Sequence, residues 1–241
     1  MQGQSLPYTR ARALSVRGRS HAQNDDRYAL LDGRLPEVRL ARKGSIYAVA
    51  DGVSSTRQGA AAADVVVEHL RKFFETDRLG TEDLLLDVVE AADAEVRMTT
   101  GSASTLAGVW LSHGITTVFC LGDTAVYLYR NGELRRLTPR QVRGGGLAAF
   151  VGMGQTVRHN LFLRNLPLEV GDVFLLASDG AYNTVPPKEM RGLLGWDPSK
   201  LHDQFLELVA QRTPDDDVTL VQIEVLSTEA QSWQVQSMRD G

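Results

Sequence analysis

The sequence predicts an α+β layered domain in which antiparallel sheets are covered by helices. Three observations carry that expectation: ten apolar stretches of strand length, two turn signals that join neighbouring stretches as hairpins, and amphipathic helices set apart from the strands. A doubly wound parallel sheet fits less well, because it places a helix between successive strands where this chain places tight turns.

In chain order, the first strands are expected at 11–16, 27–31 and 45–50. Two helices follow. Within 60–74, Ala63, Val66, Val67, Leu70, Phe73 and Phe74 fall on one face, and within 84–98 Leu85, Val88, Val89, Ala92 and Val96 repeat the pattern. The first helix is expected to begin after Ser55, with Gln58 in capping-box spacing. The second begins after Thr81, with Glu82 and Asp83 at the positive end of its dipole, and stops at Gly101. Strands are then expected at 105–111, 116–121, 125–129 and 133–137. Ser112-His113-Gly114 turns the first of these into the second, and Asn131-Gly132 the third into the fourth. Further strands at 161–166, 173–177 and 218–225 accompany a third helix at 198–211, which has Asp197 as N-cap and Pro198 in its first position. No repeat, low-complexity tract or Pro/Gly/Ser linker divides the chain, so one domain over 11–226 is expected, with 1–10 and 227–241 as terminal extensions.

With 241 residues, 43% hydrophobic and 23% charged, the chain has enough apolar material for a sizeable core and is not of disordered composition. A formal charge of −4 gives no bulk attraction to nucleic acid or anionic membrane, so any phosphorylated partner must be held by local positive groups or metal. Cys120 is the single cysteine, which excludes an intramolecular disulfide; its place among Thr117, Val118, Phe119 and Leu121 reads as a small core residue. Residues 1–12 lack the apolar stretch of a signal peptide and no run is long enough to span a bilayer, so the cytoplasm is the expected location.

Four short acidic segments carry the chemistry: Asn24-Asp25-Asp26, Ala50-Asp51-Gly52, Ser178-Asp179-Gly180 and Asp215-Asp216-Asp217-Val218-Thr219. Three adjoin runs that read as buried strands. A carboxylate at the mouth of an apolar strand is costly to desolvate without a positive neighbour, and hard divalent ions such as Mg²⁺ and Mn²⁺ prefer such oxygen ligands. A lone Asp-Gly pair is more simply a turn. Their joint appearance favours a converging cation site.

Six stretches in order resemble the metal-dependent protein serine/threonine phosphatases, the protein phosphatase 2C-like family, in its compact bacterial form. They are 18–26, 47–53, 101–107, 122–128, 175–180 and 216–219. The resemblance covers about residues 11–226 and implies a pair of stacked antiparallel β-sheets flanked by helices on both sides, in α-β-β-α layers, with a two-metal site at one end. It implies that Asp51 bridges both ions, that Asp179 and Asp216 hold the first, and that Asp25 and the Gly52 carbonyl serve the second. Asp26 would be a supporting partner or water-mediated ligand, and Asp123 would support a third, weaker ion, unless it only caps a hairpin corner. The activity implied is hydrolysis of phosphoserine or phosphothreonine in a protein substrate of a serine/threonine kinase, by direct attack of a metal-bridging hydroxide.

That chemistry has a physical logic of its own. Phosphate monoesters hydrolyse very slowly and their dianions repel hydroxide, so a site must supply positive charge and a nucleophile at neutral pH; two metal ions supply both.

The chain departs from the family pattern in three places. The phosphate-holding arginine is replaced by His21, with Arg19 two residues earlier, and either is a candidate phosphate ligand. Asp25 stands where a glutamate is common and reaches less far. Val53-Ser54-Ser55 replaces a glycine-rich run, with Val53 where some relatives carry a histidine that protonates the leaving group. These departures motivate the alternative of a catalytically weak phosphoprotein-binding module. Elsewhere, Gly144-Gly145-Gly146 and Gly152-Met153-Gly154 read as loops. Arg140, Arg143 and Arg158 read as a solvated charged face rather than a substrate rim, and His69, His113, His159 and His202 share no metal-ligand spacing.

Overall fold

A computed structural model describes residues 7–54 and 58–227. One sheet is built from β1 (Tyr8–Val16), β6 (Ala125–Arg130), β7 (Glu133–Arg136), β11 (Val173–Ala177) and β12 (Val218–Ser227), in the order β1-β12-β11-β6-β7. The other contains β2 (Asp26–Leu31), β3 (Ser45–Asp51), β4 (Leu106–Ser112), β5 (Ile115–Leu121) and β10 (Phe162–Pro167), in the order β10-β5-β4-β3-β2. Every pairing is antiparallel. His113-Gly114 and Asn131-Gly132 all have positive φ, as the expected two-residue hairpins require.

Three separate apolar clusters define four layers. In β3, Ile46, Ala48 and Ala50 face the helices α2 (Gly59–Glu75) and α3 (Glu82–Thr99), whereas Tyr47 and Val49 face the opposite sheet. In β11, Phe174 and Leu176 enter the cluster between the sheets, and Val173, Leu175 and Ala177 pack outward. That outer layer is formed by α5 (Asp179–Thr184), α6 (Pro187–Trp196) and α7 (Leu201–Arg212). Because both faces of these strands are covered, they read as unbroken apolar runs rather than alternating ones. The α+β sandwich flanked by helices on both sides is therefore the observed architecture. Cys120 lies in the inter-sheet cluster, where burial pushes its thiol up to about 12.

Boundaries shift modestly from expectation. Strand β1 starts three residues before the expected position 11, since Tyr8, Thr9 and Arg10 continue the ladder with β12. Thr81 caps α3 by accepting the Leu84 N–H at 3.2 Å. Asp197 accepts the Ser199 N–H, but over a short 3₁₀ turn, Pro198–Lys200, from which α7 continues. The expected Ser55 cap of α2 lies outside the described residues. Not foreseen were α1 (Pro36–Ala41), the single-turn α4 (Val157–Asn160), α5, α6 and a ribbon of β8 (Val142–Arg143) with β9 (Gly146–Leu147).

Phe73 anchors the helical layer over the second sheet. It is fully buried and meets Phe74 and Trp110 edge-on, with centroids 5.2 and 5.3 Å away. Phe73→Ala is expected to cost about 3–5 kcal/mol, read as a lower urea midpoint at unchanged slope.

Candidate active site

The ends of β3, β11 and β12 carry the acidic residues to one end of the sandwich. Asp51 closes β3, and its N–H donates to Thr105 Oγ1 at 3.0 Å while its carbonyl accepts the Thr105 N–H at 2.8 Å. Across the β2–β3 ladder Asp26 stands directly opposite Asp51. Asp179 opens α5 just past Ser178, the residue that follows β11, and Asp216 stands before Asp217, the residue that precedes β12. Two reciprocal bonds lock these last segments together: Ser178 N–H to the Thr219 carbonyl at 3.0 Å, and Thr219 N–H to Ser178 Oγ at 2.9 Å. Gly180 is required here, because a Cβ would stand 2.0 Å from the Asp217 carbonyl oxygen.

Asp51, Gly52, Asp123, Asp179, Asp216 and His21 line one cavity of about 830 Å³. Its electrostatics are those of a crowded acid cluster. Burial, then the charges of Asp26, Asp179, Asp216 and Asp123, push the Asp51 carboxyl well above the usual range. Burial and Asp216 take Asp179 up to about 6. Asp26, behind Asp51, is pushed up to about 7 by burial, which Thr219 and Ser178 only partly offset, and its Oδ2 is buried without a hydrogen-bond partner. Asp123 is raised by burial, against the pull of Arg140 and Arg136. Among the described residues no three acidic, histidine or cysteine side chains stand in a closed metal cage. The donor chemistry nonetheless fits hard cations: the carboxylates of Asp51, Asp123, Asp179 and Asp216 line the cavity beside the Gly52 main chain.

Three candidate residues are absent from the cavity wall, Asp26 behind Asp51 among them. Asp25 is absent from the cavity wall; its Oδ1 accepts the Ala60 N–H at the start of α2 at 3.2 Å and Gln23 Nε2 at 3.1 Å. In this position the carboxylate acts as an acceptor at the start of α2. Arg19 points outward, forking onto Asp215 Oδ1 at 3.0 and 2.7 Å, and does not line the cavity. His21 does line it. Its Nδ1 is 2.9 Å from Asp217 Oδ2 and its Nε2 is 3.6 Å from Asp216 Oδ1, and the Asp217 contact raises its pKa.

Sequence reasoning did not single out Asp217 or Arg136. The buried Asp217 carboxylate accepts the Gly18 N–H through Oδ1 and the Asp25 N–H through Oδ2, each at 2.7 Å, and so ties the 18–25 loop to the start of β12. Arg136 donates to the Asp123 carbonyl at 2.7 Å and stands over the Tyr127 and Tyr182 rings at 5.9 and 5.2 Å. Tyr182 Oη donates to the same carbonyl at 3.2 Å. The tight run Asp215-Asp216-Asp217 held the only signal for the first, and nothing in the sequence distinguished the second.

Comparison with known proteins shows that the Protein phosphatase 2C family matches residues 17–221. The chain belongs to the protein phosphatase 2C family, and through it to the phosphoric monoester hydrolases. It is 25% identical to the serine/threonine phosphatase stp of Listeria innocua over 86% of this chain and 92% of that protein. Among solved structures, PppA of Pseudomonas aeruginosa, described as a key regulatory component of T6SS, is 24% identical with a TM-score of 0.74, covering 92% of this chain and all of the other (100%). Stp1 of Staphylococcus aureus gives a TM-score of 0.79 at 16% identity, covering 93% and 98%. The catalytic domain of PstP, solved with two manganese ions, gives 0.73 at 21%, covering 91% and 99%. These three structural likenesses speak for the fold. No described helix is long and apolar enough to cross a membrane.

Proposed function

We propose that this chain, as a single domain over 11–226, is a cytoplasmic protein serine/threonine phosphatase that depends on two Mn²⁺ or Mg²⁺ ions. The observation that carries the reading is the convergence of Asp51, Asp179, Asp216 and Asp123 on one cavity, with Asp51, Asp179 and Asp123 all raised by burial and by neighbouring carboxylates. Such a cluster is relieved by divalent cations. In this reading Asp51, Asp179, Asp216 and the Gly52 carbonyl would hold the two ions, with Asp51 serving both, Asp179 and Asp216 the first and Gly52 the second, and Asp26 would support Asp51 from behind. Asp25 is the weakest of the proposed ligands, because its carboxylate is engaged at α2. Asp123 would support any third, weaker ion. Two ions held here would supply a nucleophilic water at neutral pH and positive charge for the phosphoryl oxygens.

The chain's own groups shape the rest. His21, whose pKa is raised by its Asp217 contact, would present a donor to a phosphoryl oxygen at the cavity wall. No cysteine or serine nucleophile is needed, which agrees with the buried, high-pKa Cys120. The substrate class is phosphoserine or phosphothreonine in proteins modified by a serine/threonine kinase, as the names of the curated relatives support.

The second reading, a phosphoprotein-binding module with weak catalysis, is favoured by the engagement of Asp25 alone. Phosphate release from a phosphothreonine peptide distinguishes the two. The enzyme is expected to turn over with Mn²⁺ and to stop with chelator. Peptide binding without turnover at saturating Mn²⁺ would establish the module instead.

A further inference from the structure

The charges on the cavity wall do not balance. Asp51, Asp123, Asp179, Asp215 and Asp216 line it, and among the described residues the basic side chains facing them are His21 and Arg140. His21 already stands between Asp216 and Asp217. The neighbouring arginines are also committed. Arg136 donates to the Asp123 and Thr138 carbonyls, and Arg158 is held by Asp87 and Glu90 on α3 at 2.8 Å each. Arg143 belongs to the exposed ribbon and is absent from the wall. Among the described residues the Arg140 guanidinium makes no hydrogen bond or ion pair, although it is near enough to Asp123 to act on its charge.

Its position is fixed by the backbone on either side. Gln141 clamps Gly122, the residue before Asp123, twice over: its N–H donates to the Gly122 carbonyl at 3.0 Å, and its Oε1 accepts the Gly122 N–H at 2.7 Å. Its Nε2 donates to the Asn160 carbonyl at 2.8 Å. The clamp therefore brings residue 140 beside residue 123 while leaving the long Arg140 side chain exposed and unattached. A rigid base with a free fork is what capture of a doubly charged, multi-oxygen group requires, because little backbone entropy is lost on binding.

We propose that Arg140 is the residue that grips the phosphoryl group of a phosphorylated protein as it enters this cavity. The proposal rests on the phosphatase reading above and adds to it a permanent cation that no nearby carboxylate has claimed as an ion pair. Two donors of the guanidinium fork would meet two phosphoryl oxygens, a geometry that a lysine ammonium does not reproduce. The same guanidinium would also weaken any third cation at Asp123 by direct repulsion.

The test uses the full chain with Arg140→Ala and Arg140→Lys, both at an exposed, unbonded side chain, and near-ultraviolet circular dichroism checks that the fold is kept. Two measurements are made: steady-state hydrolysis of a phosphothreonine peptide with Mn²⁺, and calorimetric titration of inorganic phosphate into the Mg²⁺-loaded chain. Arg140→Ala is expected to weaken phosphate binding about 10- to 100-fold, the scale of a lost charge-assisted hydrogen bond, with the fall in kcat/KM carried mainly by KM. Arg140→Lys should fall between. Phosphate affinity and KM within twofold of the unaltered chain would overturn the role of Arg140 while leaving the phosphatase reading intact. If the unaltered chain binds phosphate without turnover and Arg140→Ala loses that binding, the catalytic reading fails and Arg140 stands. Neither binding nor turnover in the unaltered chain overturns both.

Discussion

Replacing Asp51 by Asn is expected to end phosphate release while making the metal-free protein more stable. The two effects share one cause. Asp51 is surrounded by Asp26, Asp179, Asp216 and Asp123, and its carboxyl is pushed well above the usual range. At neutral pH the fold therefore bears the cost of either protonating it or tolerating its charge. Asn has nearly the same shape, and the Asp51 N–H bond to Thr105 Oγ1 is a main-chain contact that it keeps. Turnover of a phosphothreonine peptide with Mn²⁺ should drop by at least about 100-fold, since the bridging position of the proposed centre is lost. Thermal unfolding without metal should rise by a few degrees, about the shift that 1 kcal/mol gives a domain of this size. An Asp51→Asn protein that keeps full activity would remove the proposed centre; one that unfolds at lower temperature would remove the electrostatic account.

The second large effect concerns pH and cations together. Asp26 and Asp179 are raised to about 7 and about 6 from an ordinary 3.8. For carboxyls raised in the folded state, the fold retains protons that the unfolded chain releases. Their contribution to stability is fully present below about pH 4 and disappears as pH rises through 6 to 7. The metal-free protein is therefore expected to melt at a lower temperature at pH 8 than at pH 5. Mn²⁺ should raise the melting temperature more at pH 8 than at pH 5, because binding must displace protons at the lower pH. Differential scanning calorimetry with and without metal reads both. A melting temperature independent of pH, with equal Mn²⁺ shifts at both values, would contradict the acid cluster.

The strands and the long amphipathic helices were legible because burial on both faces leaves continuous apolar runs and because Phe73, Val66 and Leu85 recur at helical spacing. The β8–β9 ribbon was not, since two-residue strands around Gly144-Gly145 carry no periodicity. Helix α5 was hidden because Ser178-Asp179-Gly180 is equally a turn signal, and only the lock between Ser178 and Thr219 shows where the chain goes next. Cavity placement follows the motifs for Asp51, Gly52, Asp123, Asp179 and Asp216. The turning of Asp25 towards Ala60 and of Arg19 towards Asp215 depends on which donor or carboxylate is nearest in space, which residue spacing does not encode. The same limit applied to Arg140, whose neighbours Arg143 and Arg158 do form an ordinary charged face and tie respectively.

Strand β12 lies between β1 and β11, and Asp217 just before it fastens the loop that follows β1. During synthesis, a nascent chain has already exposed nearly all of the apolar surface of the first sheet before this central strand leaves the ribosome. The acidic pocket draws on residues as far apart in the sequence as His21 and Asp216, so it closes only once β12 is in place. Until then β1 and β11 lack their shared partner, and their unpaired edges are the surfaces that chaperones must shield.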